Sequence, residues 1–148
     1  MSIFEELRST IVSQGPGETA ATAERFAAAL PPDATVCLQG VLGSGKTTFV
    51  RGMARAWRIA DPVTSPTYNI FNIYQGTRQL LHCDAFRLND PGEMETLMIE
   101  EFLRSPYCLV VEWPEHAAAF LSEKRWTLQL CCKSEQLRTI TLLPDPAT

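Results

Sequence analysis

Lysine is scarce in this 148-residue chain, which holds only Lys46, Lys124 and Lys133. Its 13 basic side chains are outnumbered by 17 acids, leaving a formal charge of −4. Such a balance lacks the broad basic face that non-specific nucleic-acid binding requires, although a local basic patch stays compatible with it. No apolar run approaches the roughly 18 residues of a membrane-spanning helix. Where a signal peptide would carry positive charge, the segment MSIFEELRST has Glu5 and Glu6, and no apolar stretch follows. A cytoplasmic location without membrane association is therefore expected. The five cysteines (Cys37, Cys83, Cys108, Cys131 and Cys132) include no C-x-x-C pair and no zinc-like spacing. That argues against a metal or disulfide framework. Thiols inside apolar runs act as small buried hydrophobes, and the Cys131–Cys132 pair fits strand alternation better than a redox device.

At 45% hydrophobic and 20% charged, the composition supports a real core. The length fits one domain spanning 1–148. Residues 17–30 are alanine-rich and predict a helix that Pro31–Pro32 stops. TVCLQG then reads as a buried strand, Gly40 to Thr47 as a glycine-punctuated loop, and Thr48 to Ile59 as an amphipathic helix. That helix carries Phe49, Val50, Met53, Ala56 and Trp57 on one side, with Arg51, Arg55 and Arg58 on the other. The segments YNIFNIYQ and RQLLHCDAF predict a hairpin. Asp90 and Pro91 predict the cap and first position of a helix running to about Arg104. YCLVVEW reads as a second apolar strand, residues 115–123 as a short helix, and RWTLQLCC with QLRTITLL as an antiparallel pair. The pattern implies an α/β fold with a mixed parallel/antiparallel sheet.

The segment GVLGSGKT, residues 40–47, matches G-x-x-x-x-G-K-[ST] between a buried strand and an amphipathic helix. Glycines open backbone conformations closed to other residues and let phosphate oxygens approach the amides. Those amides form an anion-binding nest at a helix N-terminus. Gly43, Ser44, Gly45, Lys46, Thr47 and Thr48 are accordingly the candidate phosphate-binding residues, with Lys46 on the β- and γ-phosphates and Thr47 on magnesium.

A magnesium site also needs an acid at a neighbouring strand end. Glu112 ends YCLVVE and Asp84 ends LLHCD, a run interrupted by His82. Glu112 is the favoured metal acid, and Asp84 the candidate for orienting water. The plainer use of each is a cap for the next helix. In the loop VTSPTYN, the hydroxyls of Thr64, Ser65 and Thr67 stand where a switch segment senses the γ-phosphate, or serve as ordinary turn residues. His116 reads as a solitary surface histidine.

In this order and spacing, GVLGSGKTT, SPTYN, HCDAFRL and VEWPE resemble the TsaE family of bacterial ATPases in tRNA threonylcarbamoyladenosine biosynthesis. The resemblance runs from about residue 18 to residue 140. It implies a P-loop NTPase-like three-layer fold that binds ATP and Mg2+ and acts with the TsaB and TsaD proteins. It implies slow hydrolysis; the acidic charge makes direct tRNA binding the lesser expectation, so tRNA is expected to be reached only through that complex. By position the resemblance assigns Lys46 to the phosphates, Thr47 and Glu112 to the metal, Ser65, Pro66 and Thr67 to a switch, and Asp84 to hydrolysis. It also draws in Trp113 and, more loosely, Thr19 and Arg138. Two positions depart from the family pattern: Val41 replaces the usual aspartate and Phe86 the usual tyrosine. A P-loop small-molecule kinase is the alternative, but it would need an arginine-bearing lid. Guanine selectivity is disfavoured because no lysine sits in an Asn-Lys-x-Asp segment.

Overall fold

The computed structural model describes residues 1–66, 70–88, 92–117, 121 and 124–144. Its helices are α1 (Ile3–Arg8), α2 (Pro16–Ala29), α3 (Lys46–Ala56) and α4 (Glu93–Thr96). Its strands are β1 (Ile11–Ser13), β2 (Ala34–Gln39), β3 (Phe71–Gln75), β4 (Gln79–Asp84), β5 (Tyr107–Glu112), β6 (Trp126–Cys132) and β7 (Arg138–Leu142). One sheet orders them β1-β7-β6-β2-β5-β4-β3. The four central strands β6, β2, β5 and β4 run parallel, and β1, β7 and β3 add antiparallel edges. The mixed α/β architecture and the antiparallel pairs expected from the sequence are all present.

Alternation along the central strands sorts side chains between two cores. Val36, Leu38, Leu80, Cys108 and Val110 face α2 and α3, where they meet Phe26, Phe49, Val50 and Met53. Cys37, Leu81, Cys83, Leu109 and Val111 face the other side and meet Met94, Ile99, Ala117 and Leu121. Layers therefore cover both faces of the sheet. Cys37, Cys83 and Cys108 are buried as free thiols, as a reduced hydrophobe should be.

Two expectations need correction, and a third falls largely outside the described residues. The helix expected from Asp90 to about Arg104 is not continuous; Asp90 and Pro91 themselves lie outside the described residues. Helix α4 ends at Thr96, Met98 adopts a left-handed conformation (φ 54°), and a 3₁₀ turn spans Ile99–Glu101. The kink turns Ile99 into the core beside Met94 while Met98 stays exposed. Beyond it, the Gln79 side chain donates to Phe102 O and accepts from Arg104 N, both at 2.9 Å, which ties the segment to β4. Tertiary burial thus overrides local helix propensity.

Helix α3 begins two residues earlier than expected and stops at Ala56 instead of Ile59. Thr77 N donates to Trp57 O at 2.7 Å, so the β3–β4 turn closes off the helix end. Of the helix expected over 115–123, a 3₁₀ turn at Pro114–His116 is described; residues 118–120 and 122–123 lie outside the described set.

The sequence reading also missed α1 and β1. Ser2 caps α1 by accepting from Glu5 N, Ile3 and Leu7 bury themselves, and β1 then pairs with β7. The Ser-x-x-Glu spacing at residues 2–5 carries that signal.

Candidate functional site

The parallel strands all end on one side of the sheet, and the loop after β2 and the acids after β4 and β5 meet there. Open α/β sheets place ligand sites at this edge. The loop Gly40–Gly45 folds back on itself through Ser44 N donating to Val41 O at 3.1 Å. Gly43 (φ 83°) and Gly45 (φ 102°) take the left-handed conformations the tight path demands. Gly45 then caps α3 with no side-chain acceptor, so the first amides of that helix face the cleft. Val41 and Leu42 project into solvent, consistent with a cradle built from backbone and not from the position-41 side chain.

Lys46 is almost fully buried, at 6% exposure. Its Nζ donates to Gly40 O at 2.6 Å, lies 4.0 Å from the centroid of the Trp113 ring, and stands 3.9 Å from Glu112 Oε1. Burial pushes this ammonium below the usual lysine value, while Glu112, Asp84 and Glu115 act in the opposite sense. A buried cation whose hydrogen-bond partner is a loop carbonyl suits a phosphate oxygen arriving in its place.

The strand-end acids are neighbours. Asp84 and Glu112 are register partners on β4 and β5. Glu112 is buried and Asp84 half-buried. Asp84 Oδ1 accepts from Phe86 N at 3.1 Å and so caps the 3₁₀ turn Ala85–Arg87, the plainer role weighed for it, while also lining the cleft. Glu112 Oε2 lies 2.5 Å from His82 Nε2. The sequence reading treated His82 only as a break in an apolar strand. Strand alternation places residues 82 and 112 on the same sheet face, one diagonal step apart, but nothing in the local pattern marks the pair.

Thr47 Oγ1 and Ser65 Oγ are 3.0 Å apart, so Ser65 reaches the first turn of α3. Thr67 lies outside the described residues. The cleft has a volume of about 530 Å3, and Gly43, Gly45, Lys46, Thr47, Thr48, Ser65, Asp84, Glu112 and Trp113 all line it. Ser44 sits behind the loop, fully buried, with its Oγ unpartnered among the described residues. The far wall includes Thr19 and Arg138, the two loosely matched positions, together with Gly15 and Gln136, which sequence reading did not find. His116 is not solitary: its ring stacks on Phe86 at 5.8 Å, and both border Trp113.

The donor set suits a small divalent cation beside phosphates. Hydroxyl and carboxylate oxygens converge from Thr47, Ser65, Asp84 and Glu112, and hard oxygen ligands of this kind match Mg2+. Among the described residues, no cluster of His, Cys, Asp and Glu forms an all-protein metal cage. None of the described helices is long and apolar enough to cross a membrane.

The chain has clear relatives. A family model described as threonylcarbamoyl adenosine biosynthesis protein TsaE matches residues 13–140. The tRNA threonylcarbamoyladenosine biosynthesis protein TsaE of Treponema pallidum (strain Nichols) is 32% identical over 131 residues, covering 88% of this chain and 97% of that protein. The protein of the same name from Bacillus subtilis (strain 168) is 35% identical over 127 residues, covering 85% and 79%. The crystal structure of Bacillus subtilis YdiB superposes with a TM-score of 0.76 at 29% identity, over 93% of this chain and 86% of that one. By family match, by sequence identity along most of its length and by fold, the chain belongs to the TsaE family of threonylcarbamoyl adenosine biosynthesis proteins.

Proposed function

We propose that this protein is a regulatory ATPase that binds ATP with Mg2+, hydrolyses it slowly, and serves threonylcarbamoyladenosine modification of tRNA together with TsaB and TsaD. One observation carries the reading: the P-loop lysine, the Thr47–Ser65 pair and the Asp84 and Glu112 carboxylates converge on a single cleft. The names of its relatives support the pathway. The partner proteins follow from the family resemblance.

In this reading the amides of Gly43 to Thr47 hold the phosphate oxygens. Lys46 leaves Gly40 O and balances phosphate charge. Thr47 and Glu112 would hold the magnesium ion, Glu112 through water. Bound there, the ion would supply positive charge to offset that of the phosphates. Ser65 answers to the γ-phosphate through Thr47, and Asp84 orients the attacking water. Among the described residues, Arg138 is the arginine lining the cleft, and it donates to the carbonyls of Ser134, Glu135 and Leu137 in its own turn. Among the described side chains lining the cleft no other arginine stands by to act as a finger on the phosphates, and slow turnover suits a protein whose output is conformational. The same scarcity gives little support to a small-molecule kinase with an arginine lid. The net charge of −4 favours contact with tRNA through the complex, in the cytoplasm, over direct binding.

The test is ATP turnover with and without TsaB plus TsaD, paired with tRNA modification by wild type and Lys46→Ala. The partners are expected to change turnover, and Lys46→Ala to lose modification. A Lys46→Ala protein that supports modification as well as wild type overturns the proposal. Acceptor-dependent ADP formation with a metabolite would favour the kinase instead.

A further inference from the structure

His82 sits in β4 among Leu80, Leu81 and Cys83, and all four are fully buried. An imidazole at such a position carries a desolvation cost that an aliphatic side chain avoids. Its Nδ1 is buried without a hydrogen-bond partner among the described residues, so general polar packing does not account for it. Its one polar contact there is Nε2 to Glu112 Oε2, at 2.5 Å. A carboxylate accepts, so Nε2 is the donor. The other carboxylate oxygen, Oε1, points toward Lys46 Nζ, 3.9 Å away.

The terminal torsion of a glutamate is broad and holds the carboxylate plane only loosely. Glu112 ends β5 just before Trp113, which takes a left-handed conformation (φ 57°), so regular strand geometry stops beside it. A donor on one oxygen removes that freedom and divides the two oxygens between two tasks. We infer that His82 is a positioning residue: its Nε2–H fixes Oε2 of Glu112 and thereby presents Oε1 to the cation side of the cleft. This rests on the reading of Glu112 as the acid that faces magnesium. Groups that orient metal-site ligands in this way typically alter metal affinity by about 10–100-fold when removed.

The experiment compares His82→Gln, His82→Asn and His82→Leu with wild type and Glu112→Gln. In glutamine the amide nitrogen reaches about as far as Nε2; in asparagine it stops near the level of Nδ1; leucine has no donor. Mn2+ binding is followed by electron paramagnetic resonance on protein saturated with a non-hydrolysable ATP analogue. Analogue binding in EDTA and thermal unfolding are measured alongside. His82→Leu and His82→Asn should bind Mn2+ about tenfold more weakly, with analogue affinity in EDTA unchanged, while His82→Gln keeps most of the wild-type Mn2+ affinity.

Wild-type Mn2+ affinity in folded His82→Leu or His82→Asn overturns the inference, as does a loss in His82→Gln equal to that in His82→Asn. If His82→Leu fails to fold, the Gln/Asn contrast decides. Weakened Mn2+ binding in Glu112→Gln beside normal binding in His82→Asn removes the His82 inference alone. Normal binding in Glu112→Gln removes the reading of Glu112 on which it stands.

Discussion

One wall of the cleft is an unbroken stretch of chain, the loop Gly40–Gly45 running straight into α3, whereas another is assembled from the ends of two strands. On the first wall each residue's task follows from its immediate neighbours: glycine conformations set the turn, and the helix start aims the amides. On the second wall Asp84, Glu112 and His82 come together only because β4 and β5 pair in parallel register, and His82 and Glu112 meet across 30 residues of sequence. The contrast separates chemistry that a short segment carries by itself from chemistry that exists only in the folded sheet.

Perturbing the local wall should produce the largest effect. Lys46→Ala should lower ATP turnover by about 100-fold or more, since a charge aimed at the transferring phosphoryl group is lost. Circular dichroism should still report a folded protein, because Glu112 keeps its contact with His82. A turnover within a few-fold of wild type would break the comparison by moving the chemistry to the strand wall.

Gly52→Val tests how firmly the loop wall depends on the packing behind it. A Cβ at Gly52 would stand 2.3 Å from Ala20 O, where α3 crosses α2. Forcing the helices apart should cost about 1–3 kcal/mol in urea unfolding and should weaken nucleotide binding along with it. Unchanged stability would mean that α3 shifts freely, and that the loop wall is less rigid than its geometry implies.

Ser65→Ala should act more mildly. Its contact with Thr47 is exposed, so the loss should be about 0.5–1.5 kcal/mol in Mg2+-dependent nucleotide affinity by calorimetry, with affinity in EDTA unchanged.

The smallest effect concerns pH. Burial holds Lys46 below its ordinary value of 10.5. In the window between that lowered value and 10.5, the unfolded chain binds the proton more than the folded one, so this residue's contribution favours folding increasingly as pH rises. Relative to Lys46→Met, wild-type stability should therefore improve toward pH 10.5, as followed by denaturant midpoints. A relative decline would show that the Glu112, Asp84 and Glu115 charges outweigh burial.

Legibility in the sequence followed the same division. The strand–loop–helix at β2 and α3, the β3–β4 hairpin, β5 and the β6–β7 pair could be read because apolar period and turn residues are local signals. Lys46, Thr47, Asp84 and Glu112, which share one cleft, stand out in the sequence for the same reason, each at the end of a recognisable run. The segment after Gly92 was misread because the burial of Ile99 and the grip of Gln79 on Arg104 act across the fold. His82 stayed hidden because its partner is set by register, and the stacking partner of His116, Phe86, comes to it from the turn after β4. Gly15 and Gln136 reach the cleft from the turns next to β1 and β7, at the antiparallel edge of the sheet.

The most direct test is a crystal structure with Mg2+ and a non-hydrolysable ATP analogue. The phosphates should lie against the amides of residues 43–47, with Lys46 Nζ moved from Gly40 O to a phosphate oxygen and the cation between Thr47 and Glu112. A nucleotide bound elsewhere, or a Lys46 still donating to Gly40 O beside an occupied cleft, would contradict the account.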